Sequence, residues 1–198
     1  HRVRLQVRSS FDAPDVPHTA YGAGGNGPGT LVCDEDEIVE QQVVSGIAYS
    51  KDEAKVTLVK VEDKPGVAAR VFGPLADNSI NVDMIIQNVS DDGRSTDMTF
   101  TVPQAELPLA VAVIRKAQKE IVYKDLKTDT NVVKVSVIGI GMRSHAGVAQ
   151  IMFRTLAEKG INIQAITTSE IKVSVLISSD YTELAVRALH TAYGLDAD

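Results

Sequence analysis

Val3, Leu5 and Val7 alternate with Arg4, Gln6 and Arg8 at the start of the chain, and this period of two predicts a strand. The pattern then stops. Phe11 to Gly29 reads FDAPDVPHTAYGAGGNGPG, too rich in Pro and Gly for a regular element, and predicts a loop or linker. The acidic run Asp34 to Glu37 reads as a solvated lead-in to a further strand at Val43 to Ser50.

Beyond Ser50 the chain repeats itself. GVAARVFGPLADNSINV (Gly66 to Val82) aligns with GVAQIMFRTLAEKGINI (Gly147 to Ile163) at a constant offset, 147 − 66 = 81. Gly66, Val67, Ala68, Phe72, Leu75, Ala76, Ile80 and Asn81 recur identically, where chance gives about one match, so the two copies arose by duplication.

Each copy opens with an apolar strand, Val56 to Val61 or Val133 to Ile140, and then turns into a helix. Val67, Val71, Phe72 and Leu75, and in the second copy Val148, Met152, Phe153 and Leu156, lie at helical spacing and give each helix one apolar stripe. Pro65 suits a first helical position; Pro74 predicts a kink in the last turn, and its counterpart Thr155 does not. A second strand (Ile80 to Asn88; Ile161 to Thr168), a third (Thr96 to Val102; Ile171 to Ser178) and a second helix (Glu106 to Glu120; Asp180 to Tyr193) follow. Asp180 with Glu183 three residues on predicts a capping box.

Only the first copy continues into a fourth strand, Ile121 to Lys127, so the second must take its fourth from elsewhere, and Val43 to Ser50 is the free candidate. The expected organisation is a leading segment 1–42, a first module 51–130 inserted into a second, and a discontinuous second module of 43–50 plus 131–198. The fold class is α+β: two ferredoxin-like βαββαβ modules, each an antiparallel four-stranded sheet with two helices on one face.

Composition narrows the function. The 198 residues, 44% of them hydrophobic, are enough for two small cores, and the absence of Trp makes those cores aliphatic. A net charge of −6 without clustered Lys and Arg argues against nucleic acid as a partner. Cys33 is the sole cysteine, and no signal peptide or membrane-spanning apolar run is visible, so the expectation is a cytoplasmic protein without membrane partners. A start at His1, already in a strand-like pattern, suggests a piece of something longer.

The candidate chemistry sits in the strand-to-helix loops, EDKPGVA (Glu62 to Ala68) and MRSHAGVA (Met142 to Ala149). A Gly at the first helical turn lets backbone N–H groups approach a carboxylate favoured by the helix dipole; the bland alternative is that Gly66 and Gly147 only allow helix and sheet to pack closely. Strand two supplies the other half. On an inner strand of period two, Asn81, Asp83 and Gln87 share one face and Val82, Met84 and Ile86 the other, with Asn162, Gln164 and Thr168 as counterparts. Beside a helix N-terminus such a polar face suits a zwitterion, unless it is simply wet. The first copy's Asp63 and Asp83 would favour a second ammonium, as on lysine, whereas Ser144 and Gln164 suit a hydroxyl-bearing ligand such as threonine.

Other motifs carry less. GIGMRS imitates a dinucleotide fingerprint, but its third Gly is Ser144 and no acidic residue ends the next strand; no P-loop is present. His145 lacks a nucleophile and an orienting carboxylate, and His18 and His190 lack partners at metal-ligand spacing, so neither catalysis nor a metal is expected in this chain.

The segments VEDKPGVAARVF, INVDMIIQNVS, STDMTFTV, VSVIGIGMRSHAGVA, INIQAITTSEIKVSVLI and ARALHTAYGL together resemble the tandem ACT domains of the aspartokinase family, over about residues 38 to 195. VRLQVRSSF and GTLV resemble the end of that family's kinase domain, although the Pro/Gly insert between them departs from the usual short connection. The resemblance implies a holoenzyme that transfers the ATP γ-phosphoryl group to the β-carboxylate of aspartate, under feedback inhibition by lysine, threonine or both, in lysine, threonine and methionine biosynthesis. ATP and Mg would belong to a kinase part outside this chain, so the chain itself is expected to have no cofactor and no catalytic residue. Effector contacts carried over are Asp63, Lys64, Gly66, Val67, Ala68, Asn81, Val82, Asp83, Gln87 and Asn88 in copy one. In copy two they are His145, Ala146, Gly147, Val148, Ala149, Asn162, Ile163 and Gln164, with Thr168, Ser169 and Glu170 nearby. The resemblance also implies a homodimer through the ACT modules and a kinase-bearing domain or α subunit as partner. The competing readings are a stand-alone amino-acid-binding module serving another enzyme or a transcription factor, and an enzyme with its own active site here, for which no converging nucleophile, base and orienting group is found.

Overall fold

Leu5–Val7 (β1) pairs antiparallel with Thr30–Val32 (β2), Leu5 opposite Val32 and Val7 opposite Thr30, in a unit of its own. The computed structural model describes residues 5–7, 30–32, 43–89, 93–139 and 147–196.

In the second unit, residues 42–198, the elements run β3 (Gly46–Ser50), β4 (Ala54–Glu62), α1 (Val67–Asp77), β5 (Ile85–Val89), β6 (Ser95–Val102), α2 (Leu107–Lys116) and β7 (Asp125–Asp129). Then come β8 (Val132–Ile138), α3 (Val148–Glu158), β9 (Ala165–Thr168), β10 (Lys172–Ser178) and α4 (Thr182–Ala192). They build two antiparallel four-stranded sheets, in the orders β5-β6-β4-β7 and β3-β8-β10-β9. The second sheet thus takes its edge strand β3 from before the first repeat, with Tyr49 opposite Val135.

Alternation explains the cores. On β4, Ala54, Val56 and Leu58 stand opposite Val102, Phe100 and Met98 of β6, and α1 (Val71, Leu75) and α2 (Ala110, Ile114) close over them. On β8, Val133, Val135 and Val137 stand opposite Ile177, Val175 and Val173 of β10, under α3 (Met152, Leu156) and α4 (Ala185, Leu189). The other faces are in contact: Met84 and Ile86 of the first sheet cluster with Val132, Ala165 and Leu176 of the second. No helix among the described residues is long and apolar enough to cross a membrane.

Several element boundaries move for local reasons. The second strands start at Ile85 and Ala165 rather than Ile80 and Ile161, because Ser79 (φ 58°) and Gly160 (φ 68°) turn the chain after each helix and the next residues are extended but irregular. The fourth strand is Asp125–Asp129, not Ile121 to Lys127; Ile121 is instead buried in the first core, its N–H bonded to Ala117 O at the end of α2. Helix α2 stops at Lys116 and is preceded by a tight turn at Gln104–Glu106. Helix α1 runs through Pro74 to Asp77, and Asn78 Nδ2 donates to Pro74 O at 2.8 Å.

The expected capping box at Asp180 does not form. Ser178 Oγ accepts the Asp180 N–H at 3.4 Å, and the Asp180 carboxylate accepts from Ser178 Oγ and Asn131 Nδ2, both at 3.1 Å. A tight turn at Ser179–Tyr181 then precedes the helix proper.

Gly139, part of the false dinucleotide motif, has a packing role. A Cβ there would lie 2.0 Å from Val43 O, where the chain entering β3 crosses the end of β8. Gly139→Ala is expected to lower the unfolding free energy by about 2 kcal/mol, read as a lower urea midpoint at unchanged slope, because backbone and not a flexible side chain must give way.

Candidate functional site

Loop and strand, the two halves of the expected site, come from opposite ends of the first module. Helix α1 runs back along β4, so its N-terminal loop lies at the Glu62 end, where Asp63 N–H donates to Arg94 O (2.9 Å) and Glu62 N–H to Val122 O (3.1 Å). Asn81 to Asp83 lie at the Ala54 end, where Asp83 N–H donates to Thr101 O (3.1 Å). The nine residues of β4 between them span about 25 Å. Gln87 and Asn88, opposite Met98 and Asp97, fall toward the loop end with Asp63, Lys64, Gly66, Val67 and Ala68. The single pocket expected from loop and strand together is therefore not formed within the first module.

A second correction concerns the strand itself. β5 and β9 are edge strands, not inner ones, and each leaves a row of backbone groups without a neighbouring strand among the described residues. Period-two alternation also breaks at Asp83. Asp83 N–H donates to Thr101 O while Thr101 N–H donates to Met84 O (both 3.1 Å), so two residues oppose one in a bulge, and Asp83 shares the side of Met84 rather than of Gln87. In the second copy Gln164 N–H donates to Leu176 O at 2.8 Å.

At the loop end, Gly66 caps α1 with φ 86°, and no side chain caps the helix. Among the described residues, a Cβ on Gly66 would meet nothing nearer than Arg70 Nη1 at 3.8 Å, and one on Gly147 (φ 130°) nothing within 4 Å. Close helix–sheet packing is thus not what calls for these glycines; their left-handed backbone is. Lys64 pairs with Glu62 at 2.5 Å, an exposed pair of little energetic weight. Val148 and Ala149 begin α3, Thr168 pairs with Val173, and Ser169 N–H and Oγ turn onto Lys172 O beside Glu170. Ser144, His145 and Ala146 lie outside the described residues.

The strand end forms a cavity of about 170 Å³, lined by Asn81, Val82, Asp83, Thr101, Pro103 and Lys134 among others. Lys134 arrives from the second module. It alternates on β8 with the core residues Val133 and Val135, so it stands on the opposite face, where its ammonium bonds the Asp83 carboxylate and, at 2.5 Å, Glu53 Oε1. Only 7% of the Glu53 side chain is exposed. The mirror contact is Lys55 of β4, whose ammonium bonds Gln164 Oε1 and lies 3.4 Å from Asp129 Oδ2. Asn162 and Ile163 precede Gln164 at the same end. A larger open groove of about 480 Å³ beside α4, lined by Val186, Arg187, His190, Thr191 and Asp196, contains no expected residue among the described ones.

Lys134 was not among the expected site residues because a lone Lys in VVKVSVI reads as part of a strand. The available signal was its recurrence, since Lys55 holds the same place in AKVTLV. Burial alone would lower the Lys134 pKa, but hydrogen bonds to Asp83 and Glu53 and their charges outweigh burial and hold it above 10.5. The Tyr193 hydroxyl, donating to Val148 O at 2.6 Å, is pushed up to about 12 by burial. Both shifts are upward, so folding binds these protons more tightly. The stability they contribute is complete below the unfolded values of 10.5 and 10.0 and drains away as pH rises through the folded ones. Urea titrations are expected to show constant stability from these two groups up to about pH 10, then a fall, part of which Tyr193→Phe removes.

Fold and repeat define the class, a tandem pair of ACT domains: one ACT-domain family model matches residues 55–118 and a second matches residues 135–193. The chain is 53% identical over 196 residues to an aspartate kinase of Pseudomonas fluorescens and 42% identical over 198 to an aspartokinase of Helicobacter pylori, covering 98% of this chain in both. It spans about half the length of these curated relatives, 47% and 45%. Among solved structures it matches one of aspartokinase alpha and beta subunits (50% identity, TM-score 0.72, 76% of this chain and 99% of that one). It also matches the ligand-free regulatory subunit of aspartate kinase from Thermus thermophilus (38%, TM-score 0.73, 77% and 99%). The chain belongs to the aspartate kinase family and corresponds to its regulatory part.

Proposed function

We propose that this chain senses lysine, threonine or both, and transmits their binding as feedback inhibition of a kinase part that phosphorylates L-aspartate with ATP and Mg. The observation that carries the reading is the placement of candidate ligand groups at opposite ends of unpaired edge strands. Two copies joined antiparallel, edge to edge along β5 or β9, set the loop end of one beside Asn81 to Asp83, or Asn162 to Gln164, of the other. A loop offering backbone N–H groups to a carboxylate then meets a strand offering carbonyl and side-chain oxygens to an ammonium. A homodimer is therefore part of the reading, and it supplies the bistable element on which an effector acts by binding one arrangement better. The kinase part is either a domain of the same protein or an α subunit.

The test is the rate of aspartate phosphorylation by the intact kinase with lysine, threonine and the pair. Inhibition by at least one, lost on Asn81→Ala with Asn162→Ala, is the expected result. A rate indifferent to both amino acids, singly and together, would refute the proposal.

A further inference from the structure

Lys55 and Lys134 occupy equivalent places, each the second residue of Ala54–Lys55–Val56 or Val133–Lys134–Val135 at the start of a repeat. Asp83 and Gln164 are equivalent too, at the offset of 81. The contacts cross: the lysine of the second module bonds Asp83 of the first, and the lysine of the first bonds Gln164 of the second. The two contacts differ in chemistry. Gln164 carries no charge to neutralise, whereas Asp83 brings the carboxylate that a ligand's side-chain ammonium would seek.

We propose that Lys134 is the specificity-determining residue of the first copy's strand half-site: by occupying Asp83 it withholds that carboxylate, so the cavity takes an α-amino acid with an uncharged side chain. This rests on the effector-sensing reading above and reverses the preference that Asp83 alone would confer. Three carboxylates line the cavity with this one lysine, Asp52, Glu53 and Asp83, and they are not equally accessible. Glu53 is buried at 7% exposure and holds Lys134 from beneath; Asp83, at 46%, is open to a ligand, and its Oδ2 is the atom Lys134 bonds. An incoming ammonium would meet another ammonium at the same carboxylate. Asp52, also on the cavity wall, already has one carboxylate oxygen engaged, accepting the Gln104 N–H at 3.0 Å. Because the lysine comes from the other module, selectivity in one copy depends on the seating of both.

The test is a double-mutant cycle on the intact kinase, with dissociation constants for L-lysine and L-threonine measured by calorimetry. In the native background Asp83→Asn is expected to change the lysine-to-threonine affinity ratio by less than about threefold. Lys134→Met is expected to raise that ratio about tenfold or more, and in that background Asp83→Asn is expected to abolish the gain. A fall of about tenfold in relative lysine affinity on Asp83→Asn alone, or effects of the two substitutions that simply add, would overturn the proposal. If Lys134→Met fails to fold, the Asp83→Asn arm still decides. Binding of neither amino acid to the unaltered kinase would instead refute the sensor reading itself, and this inference with it.

Discussion

Phe100→Ala is expected to remove about 4 kcal/mol of stability, enough to unfold much of a marginal domain. Phe100 is fully buried on β6, between Val56 on β4 and Ile85 on β5, and its ring meets that of Phe72 on α1 edge to face at 5.2 Å. Truncation opens a cavity between sheet and helix and strips Phe72 of its aromatic partner, worth about 1 kcal/mol beyond area. Since strands on both sides hold β6 in register, the site cannot collapse to fill the space. Urea denaturation measures the loss; a cost below about 1.5 kcal/mol would show that the first module's core is not packed as described. Tyr49→Ala, at 54% exposure, is the control and should change stability by less than about 0.5 kcal/mol.

The second large effect is electrostatic. Lys134→Met is expected to cost about 3 kcal/mol at neutral pH, because it leaves the buried Glu53 carboxylate without its ammonium and beside a second carboxylate, Asp83. The loss belongs to the orphaned charge more than to the pair, so Glu53→Gln added to Lys134→Met should recover a good part of it. The lysine's share of the alkaline fall in stability should vanish in the variant. Additivity of the two substitutions would contradict the account.

These two residues mark where the sequence is readable and where it is not. The cores were legible because Ala54, Val56 and Leu58, like Val133, Val135 and Val137, alternate strictly, and because duplication displays the helical stripes twice. The order of strands within a sheet is not written in any local pattern, so β5 and β9 read as inner strands although they are edges. The bulge at Asp83 depends on a partner eighteen residues on, Thr101, and period two cannot foresee it. Ile121 misled because an apolar residue under a helix end looks the same, in sequence, as the first residue of a strand. Lys134 was hidden in an apolar run, and only comparison with Lys55 singles it out. The described candidate residues lie in the strand-to-helix loops and second strands that the repeat marks; that these lie far apart within the first module needed the path of α1.

The central claim is that this chain binds a feedback amino acid. The most direct measurement is thermal unfolding of the chain, at dimer-forming concentration, against the twenty common amino acids at millimolar concentration. Lysine or threonine at 100 times its dissociation constant should add about 2.7 kcal/mol and raise the midpoint by several degrees above the other amino acids. A midpoint unmoved by lysine, threonine or the two together would contradict the claim.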